Sequence, residues 1–208
     1  MAKFINCKIN TSRFNFLPRE ETAFWVKKAI KELKEKNEIK ILDIFSGTGC
    51  IGIAILKNAK NSFVVFGDKS DKAIEQIKIN LQINKINKKR AVVVKTNIFS
   101  NVHSKYDFIF ANPPYVAKER LNEVQAEVKK YEPKIAWYGG KDGMDYISKF
   151  LKEAKNFLNK NGEIYFEFDP QQKRTIEEIL KKENYKFRFF KDQFKKFRYA
   201  KACYKNKN

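Results

Sequence analysis

Residues 39–52 read IKILDIFSGTGCIG, an apolar run that leads into a loop with three glycines. The run from Ile39 to Phe45 has the apolar, β-branched composition of a buried strand, and a helical pattern follows from Ile51 to Ala59. A second apolar run, from Ser62 to Asp68, is typical of another strand. A strand, a glycine loop, a helix and a further strand indicate the beginning of a parallel α/β sheet.

The remaining chain keeps this alternation of strands and helices. Further strands are predicted at residues 91–94, 106–111 and 162–168, and further helices at 18–36, 72–84, 143–159 and 171–183. Two more strand-like runs, 185–191 and 198–204, stand so close together that they can pair only as an antiparallel hairpin. The sequence therefore predicts a Rossmann-like α/β fold, with a mostly parallel sheet, helices on both faces and a C-terminal antiparallel hairpin.

Length and composition favour one domain. A chain of 208 residues with 43% hydrophobic residues is long enough for one sizeable core and short for two. We predict a single domain over residues 1–208. In it, residues 1–22 form an N-terminal arm or hairpin with a following loop, and residues 23–208 form the core.

The formal net charge of the chain is +20. One interpretation is a polyanionic partner, such as RNA, a ribosome or DNA, that is attracted to a basic surface. The other is a biased use of lysine that leaves only a solvated surface. Because the basic residues are spread over most of the chain, the pattern favours neither interpretation.

Cysteine spacing and hydropathy bear on the location of the protein. Cys7, Cys50 and Cys203 lie far apart, and the chain has one histidine. Neither a metal site nor a disulfide framework is expected, and a reducing cytoplasm is the predicted location. No apolar run reaches the roughly 18–20 residues of a membrane span, so no contact with a membrane is predicted.

The segment from Gly47 to Gly52 matches the pattern G-x-G-x-x-G, and Asp68 ends the next strand. An acid at that distance binds ribose hydroxyls, so a nicotinamide or flavin dinucleotide is one interpretation. Asp43 argues against it, because a carboxylate beneath the loop would repel a pyrophosphate. S-adenosyl-L-methionine uses both acids, Asp43 for its ammonium group and Asp68 for its ribose, and the glycines allow close approach of the backbone. The alternative is a tight turn that binds nothing.

The tetrapeptide Asn112-Pro113-Pro114-Tyr115 follows the apolar run from Tyr106 to Ala111. Proline fixes φ, removes a backbone donor and pushes the preceding residue towards an extended conformation, so the direction of Asn112 is restricted. The turn offers an amide oxygen, a free carbonyl and an aromatic face, which together suit a planar –NH2 group on an amide or a base. The alternative is an ordinary proline-rich strand exit with a packed tyrosine.

Polar residues lie at or just after the ends of several predicted parallel strands, where ligands bind in such sheets. These residues are Asp43, Asp68, Asn97 and Asn112. The pair Asn97-Ile98 could line an adenine pocket, or Asn97 could be a turn residue. Glu167, at the end of another strand, is either a pocket residue or a plain surface carboxylate.

These motifs resemble the class I S-adenosylmethionine-dependent methyltransferases that modify planar nitrogens. Three further stretches are similar to the HemK/PrmC-type glutamine N5-methyltransferases of peptide chain release factors. They are Leu17-Pro18-Arg19-Glu20-Glu21-Thr22, Glu132-Pro133 with Ala136 and Gly139-Gly140-x-Asp142-Gly143, and Glu167 with Gln171. The resemblance covers about residues 4–202 and implies a class I methyltransferase fold with S-adenosyl-L-methionine as cofactor.

The resemblance also implies roles for individual residues, and it implies no metal. The cofactor pocket would be formed by Asp43, Phe45, Ser46, Gly47, Thr48, Gly49, Asp68, Asn97, Ile98 and Asn112. The substrate glutamine would be held by Asn112, Pro113, Pro114 and Tyr115. The sequence departs from the family pattern at Phe45-Ser46, where a glycine and a small residue are usual, at Asn97, which replaces an acid, and at Asp169-Pro170, which replaces Gly-Tyr.

The leading prediction is an N-methyltransferase that acts on a glutamine amide of a peptide chain release factor. The family's N-terminal helical domain, which helps to dock the release factor, has no counterpart in this sequence. The alternative is an adenine-N6 or guanine-N2 methyltransferase of DNA or ribosomal RNA, which would stack a base on Tyr115 and is favoured by the charge. A third interpretation, a non-catalytic RNA-binding module, is disfavoured because the acids and glycines of the cofactor motif are intact.

Overall fold

The computed structural model describes residues 1–204, and nine strands form two sheets within them. The strands are β1 Ala2–Phe4, β2 Cys7–Ile9, β3 Ile39–Ile44, β4 Ser62–Asp68, β5 Ala91–Lys95, β6 Tyr106–Ala111, β7 Leu158–Glu167, β8 Tyr185–Lys191 and β9 Phe197–Tyr204. β1 and β2 pair as a small hairpin, and the other seven strands form one sheet in the order β5-β4-β3-β6-β7-β9-β8. The five neighbouring strands β5, β4, β3, β6 and β7 are parallel to one another. β9 is antiparallel to both of its neighbours, β7 and β8.

Within residues 1–204, six α-helices connect the strands. They are α1 Glu20–Lys34, α2 Cys50–Asn58, α3 Asp71–Ile83, α4 Ala126–Tyr131, α5 Asp145–Glu153 and α6 Lys173–Lys182. α1 begins with two acidic residues and has lysines in its last turn, so its charges complement the helix dipole. Its buried residues, which include Trp25, Val26, Ala29 and Leu33, recur at helical spacing and face the sheet.

Helices cover both faces of the sheet. In β3, Ile41 belongs to a cluster with residues of α1, α2 and α3, whereas Leu42 and Ile44 belong to a second cluster with residues of α5 and α6. A strand that is buried on both faces has a near-continuous apolar sequence, as β3 does. The predicted fold class is therefore confirmed.

The central strands set the position of the site. β3 lies between β4 and β6, and all three are parallel. After β3 the chain forms β4 on one side of it, and later it forms β6 on the other side. A crevice opens at the carboxyl ends of the strands where the order changes in this way, and ligands bind there in open α/β sheets. Asp43, Asp68 and Asn112 lie at those ends.

One predicted helix is shorter than expected. The helix predicted over residues 143–159 ends at Glu153, and a single 3-10 turn, Ala154–Phe157, leads into β7. Leu158 already pairs with Tyr106 of β6, across a register shift in the ladder. Sheet pairing therefore overrides the helical pattern of these last residues.

Two further points concern the predicted boundaries. The division between residues 22 and 23 falls inside α1, and the last four residues of the predicted core, 205–208, lie outside the described residues. Among the helices of residues 1–204, none has both the length and the apolar character needed to cross a membrane.

Candidate active site

The loop between β3 and α2 turns sharply in front of the sheet. Gly47 and Gly49 have φ of 54° and 76°, left-handed values that glycine adopts without steric cost. Phe45 also has a positive φ, 59°, although it carries a side chain. The family pattern has a glycine here, and the observed φ explains why. The Phe45 ring packs edge-on against Tyr146 and Phe150, and these contacts hold the strained residue in place.

Asp43 lies beneath this loop. It is 1% exposed, and its Oδ2 accepts a hydrogen bond from the Gly52 N–H at 3.0 Å, whereas Oδ1 has no partner among the described residues. Burial raises the pKa of Asp43 from 3.8 to about 7, and the neighbouring Asp68 carboxylate adds to the shift. The sequence places Asp43 against a ligand ammonium group. In the structure Asp43 is not among the residues that line the first cavity, and its carboxylate is buried beneath the loop.

Asp68 ends β4 and lies directly on the cavity wall. Its Oδ2 accepts from the Gly47 N–H and its Oδ1 from the Ser70 N–H, both at 2.9 Å. Burial raises the pKa of this carboxyl group, and the two backbone hydrogen bonds oppose the shift. The bonds fix the orientation of the carboxylate, whose remaining lone pairs can accept hydrogen bonds from ligand hydroxyls.

A first cavity opens in front of the glycine loop and Asp68. Its walls include the predicted residues Phe45, Ser46, Gly47, Thr48, Asp68, Asn97, Ile98 and Asn112. Wall residues that were not predicted as site residues include Phe14, Phe16, Lys69, Ile135 and Tyr146. Gly49 precedes the first residue of α2 and does not line the cavity. A few polar groups among apolar and aromatic walls are typical of a site for a small organic ligand.

The N-terminal arm is attached by side-chain amides of α3 and of the residue that directly follows it. These amides are Gln76, Asn80 and Asn84. They accept hydrogen bonds of 2.7–3.1 Å from backbone N–H groups within residues 8–13. The attachment places Phe14 over the glycine loop, 3.4 Å from the position that a Cβ at Gly47 would take. The predicted arm is therefore part of the cavity wall.

The Asn112-Pro113-Pro114-Tyr115 turn separates the first cavity from a second one. Four residues line both cavities, namely Phe16, Asn112, Pro114 and Ala136. Pro113 and Tyr115 line the second cavity and not the first. The turn thus presents the Asn112 side chain at the junction of two cavities.

Buried hydrogen bonds fix the Asn112 side chain. Its Nδ2 donates to Thr22 Oγ1 at 3.3 Å, and that hydroxyl donates to Glu167 Oε2 at 2.7 Å. Trp25 Nε1 donates to the same oxygen at 2.8 Å, and the Tyr115 hydroxyl donates to Glu167 Oε1 at 3.1 Å. Glu167 is 1% exposed, so its interpretation as a surface carboxylate is wrong. Burial raises the pKa of both Glu167 and Tyr115.

The loop over residues 139–143 supports the turn from behind. A Cβ at Gly139 would lie 2.7 Å from the Pro114 carbonyl oxygen and 2.8 Å from Tyr115 Cα. Gln172, next to the glutamine that the family pattern singles out, donates to the Tyr115 carbonyl at 3.1 Å. Glycine is therefore needed at position 139 because backbone approaches backbone here.

Residues 27–130 match a protein family described as the methyltransferase small domain. The chain therefore belongs to the methyltransferase small domain family. It is 35% identical over 180 residues to a protein of Thermodesulfovibrio yellowstonii named release factor glutamine methyltransferase. That match covers 85% of this chain and 63% of the relative, so the chain spans less than two thirds of the relative's length.

Two solved methyltransferases have a similar fold. The ribosomal protein L11 methylase of Lactobacillus delbrueckii subsp. bulgaricus superposes with a TM-score of 0.68 at 19% identity, over 92% of this chain and 81% of that one. The magnesium protoporphyrin IX methyltransferase of Synechocystis PCC 6803, solved with bound SAM, gives 0.62 at 11% identity, over 94% and 89%. At these identities the comparison concerns the fold, which is the class I methyltransferase fold.

In this methyltransferase-family chain, two stretches of the family pattern that are far apart in sequence meet. Arg19 Nη2 donates to both carboxylate oxygens of Glu132, at 2.6 and 2.7 Å. Glu132 is buried, and a hydrogen bond between two ionised groups is stronger than one between neutral groups. The pair ties the segment before α1 to the segment that carries Ala136, which lines both cavities.

Most of the predicted site residues lie on the walls of the two cavities, but the sequence missed several residues that support the walls. Thr22 was noted only as part of a family stretch, and Trp25 was not singled out at all. Their spacing of three residues on α1 places both on one face, which is the one signal the sequence carried. Their shared partner Glu167 lies more than 140 residues away in sequence, so only the fold brings them together.

Proposed function

We propose that this chain is an S-adenosylmethionine-dependent N-methyltransferase that acts on a glutamine side-chain amide of a peptide chain release factor. The observation that carries the proposal is the position of Asn112 at the junction of the two cavities. The family match supports methyl transfer, and the name of the Thermodesulfovibrio relative supports the substrate. On the cysteine pattern of the sequence, we place this activity in the cytoplasm.

The residues around the first cavity fit S-adenosylmethionine. Asp43, with one oxygen unpartnered among the described residues, lies beneath the loop and would provide negative charge for the ammonium group. Asp68 would accept from the ribose hydroxyls, residues 45–49 would contact the amino-acid part, and Asn97-Ile98 would line the adenine. When bound, the cofactor supplies an electrophilic methyl group on a sulfonium.

The turn supplies the chemistry on the substrate side. An amide nitrogen is a weak nucleophile because its lone pair is delocalised into the carbonyl. Asn112 Oδ1 and the Pro113 carbonyl would each accept one N–H of the substrate amide and favour a pyramidal nitrogen whose lone pair faces the first cavity. As positive charge develops on that nitrogen the two hydrogen bonds strengthen, so they stabilise the transition state more than the ground state.

Two further features of the proposed reaction are the position of the Tyr115 ring and the loss of a proton from the alkylated amide. The Tyr115 ring would pack on the face of the amide and hold the reacting atoms at a near-attack separation of about 3–3.5 Å. No general base is needed before the new N–C bond forms. The N-alkylated amide is a strong acid at that stage and loses its proton to water.

A second candidate is methylation of an adenine or guanine amino group in nucleic acid, which the net charge of +20 favours. The second cavity itself has charges of both signs. Its walls carry Arg19, Arg120, Glu21, Glu123 and Asp169, and Arg120 pairs with Asp169 at 2.6 Å. A nucleotide needs cations for its phosphates, so this balance favours an amide side chain. The basic surface would then contact nucleic acid or the ribosome away from the site.

The test is a transfer assay with methyl-labelled S-adenosylmethionine. Purified release factor, total RNA and DNA are offered in parallel, together with a release factor whose target glutamine is replaced by glutamate. We expect label in the intact release factor and none in the variant. Label only in nucleic acid would show that the turn reads a base and would end the proposal.

A further inference from the structure

We propose that Thr22 and Glu167 are positioning residues that fix which end of the Asn112 amide faces the second cavity. This inference rests on the proposed function, because Asn112 Oδ1 is the group that would hold the substrate amide. With the amide fixed in this way, the Asn112 group that faces the second cavity is its oxygen, which is a hydrogen-bond acceptor. It would therefore select an –NH2 group over a carboxylate of the same shape.

Trp25 determines the polarity of the network. An indole Nε1–H can only donate, so Glu167 Oε2, 2.8 Å away, must be an acceptor. When this oxygen carries no proton, the Thr22 hydroxyl at 2.7 Å is the donor in the bond between them. A hydroxyl has a single proton, so Thr22 Oγ1 has only lone pairs left for Asn112.

Asn112 is thereby restricted to one of its two amide orientations. Its Nδ2 must face Thr22 Oγ1, at 3.3 Å, since the opposite orientation would set two acceptors against each other. Asn112 Oδ1 is then directed away from Thr22. The polarity holds when Glu167 is ionised and also when its proton is on Oε1, because Oε2 is then still an acceptor and the Tyr115 hydroxyl at 3.1 Å can accept the hydrogen bond of that proton.

Burial makes this polarity effective. Thr22 is 2% exposed, Glu167 1% and Trp25 0%, so bulk water does not compete for their hydrogen bonds. In such surroundings an unpaired polar group is costly, and a network with every member paired holds one arrangement. Asn112 itself is partly exposed, at the point where this buried chain reaches the cavities.

The consequence for specificity follows from counting donors. A glutamine amide has two N–H groups, one for Asn112 Oδ1 and one for the Pro113 carbonyl, whereas a glutamate carboxylate has none. A site built to accept from a substrate N–H rejects the analogue that lacks it. If the Asn112 side-chain amide could rotate by half a turn, its Nδ2 would face the cavity and the glutamate carboxylate would be rejected less strongly.

The test compares Thr22→Val, which keeps the shape and removes the hydroxyl, with Thr22→Ser, which restores the hydroxyl. Thr175→Val, on the exposed side of α6, is the matched control. Against the release factor, we expect kcat of Thr22→Val to fall by about tenfold or more and Thr22→Ser to recover most of it. Affinity for S-adenosylhomocysteine should stay the same in all variants. The ratio of the affinity for a glutamine peptide to the affinity for the same peptide with glutamate should fall only in Thr22→Val.

A second measurement needs no substrate and no activity. The Asn112 side-chain amide protons, assigned by their absence in Asn112→Asp, should include one protected from solvent exchange in the wild type and in Thr22→Ser. That protection should be lost in Thr22→Val. Two rapidly exchanging protons in the wild type, or a Thr22→Val enzyme with wild-type kcat, would overturn the inference. If the wild type methylates nucleic acid instead, the proposed function fails while the amide protons still decide the role of Thr22.

Discussion

Asn112 is one of the four residues that line both cavities, and residues that line only one cavity have different roles in the proposed reaction. Asp68 lines only the first cavity, and its carboxylate is held by backbone N–H groups of the loops around it. Pro113 and Tyr115 line only the second. Substitutions on the two sides should therefore separate cofactor binding from methyl transfer.

Asn112→Ala should lower kcat by about a hundredfold or more, because it removes an acceptor that acts mainly in the transition state. Its cofactor affinity, measured by calorimetry, should change little. Asp68→Ala should show the reverse order and weaken cofactor binding first, by roughly ten- to a hundredfold for a charged hydrogen-bond acceptor. Parallel losses of binding and turnover in Asn112→Ala would refute this division, and unchanged affinity in Asp68→Ala would remove Asp68 from the ribose.

Asp43 should couple cofactor binding to pH. Burial raises its pKa to about 7 in the ligand-free chain, and a positively charged ligand lowers the pKa again because it favours the carboxylate. Binding then releases a proton, so the affinity should increase as pH rises towards about 7 and become constant above it. Calorimetry in buffers of different ionisation enthalpy counts that proton. If cofactor binding to the Asp43→Asn variant releases the same number of protons, the proton comes from another group.

The same pKa shift should affect stability. Because the folded chain binds the Asp43 proton more tightly than the unfolded chain, this carboxyl stabilises the fold fully below pH 3.8 and loses that contribution as pH rises through about 7. Asp43→Asn should therefore show a smaller fall in the free energy of unfolding between these limits. Urea unfolding of both proteins across the range measures the difference, and identical slopes would contradict the expectation.

At the scale of elements, the turn after β6 is held in place by a loop that is distant in sequence. Residues 139–143 contact the backbone of Pro114 and Tyr115, and Gln172 reaches the same backbone from the start of α6. A loop that supports a catalytic turn need not contact substrate or cofactor to matter. A displacement of about 1 Å at a reacting centre can cost a hundredfold in rate.

Gly139→Ala tests that support. The added Cβ would lie 2.7 Å from the carbonyl oxygens of Pro114 and Gly143, and backbone on both sides leaves no flexible group to move away. We expect turnover to fall by about tenfold or more through displacement of the turn, with nearly unchanged cofactor affinity. Lys141→Ala, exposed in the same loop, is the control. Wild-type turnover in Gly139→Ala would show that the turn tolerates the shift.

The elements themselves were predictable because their signals are local. The apolar run from Ile39 to Ile44, the glycines after it and the acid at Asp68 lie close together in sequence, and their pattern predicted the sheet, the loop and the first cavity. The left-handed φ of Phe45 was not predictable, since its stabilising contacts come from Tyr146 and Phe150. Local patterns carry no record of contacts between distant residues.

The supports of the site illustrate the same limit. Arg19 and Glu132 were both singled out by the family pattern, but their pairing is visible only when the segment before α1 and the segment after α4 are folded together. Glu167 was left open between pocket and surface, because nothing in the strand that carries it distinguishes the two. Its three donors come from α1 and from the turn after β6.

At the scale of the whole molecule, the net charge of +20 differs from the charge at the site. Two arginines line the second cavity, and both are paired: Arg19 with Glu132, and Arg120 with Glu123 and Asp169. The excess of positive charge is therefore on the rest of the surface. Charge in that position acts on the encounter with a partner and not on the transfer step.

Added salt should therefore weaken the binding of a charged partner and leave the rate of methyl transfer nearly unchanged. Between 50 and 200 mM salt we expect kcat on a saturating protein substrate to change by less than about twofold, because the paired charges of the second cavity are fixed and partly buried. If the basic surface also holds nucleic acid through about 6–10 phosphates, that affinity should fall by roughly 10³–10⁵ over the same range, since counterions are no longer released as favourably. Methyl-transfer assays measure kcat, and filter binding with the same protein preparation measures the affinity for nucleic acid. A kcat that falls as steeply as nucleic-acid binding would place the basic surface in the reaction itself and favour a nucleic-acid substrate.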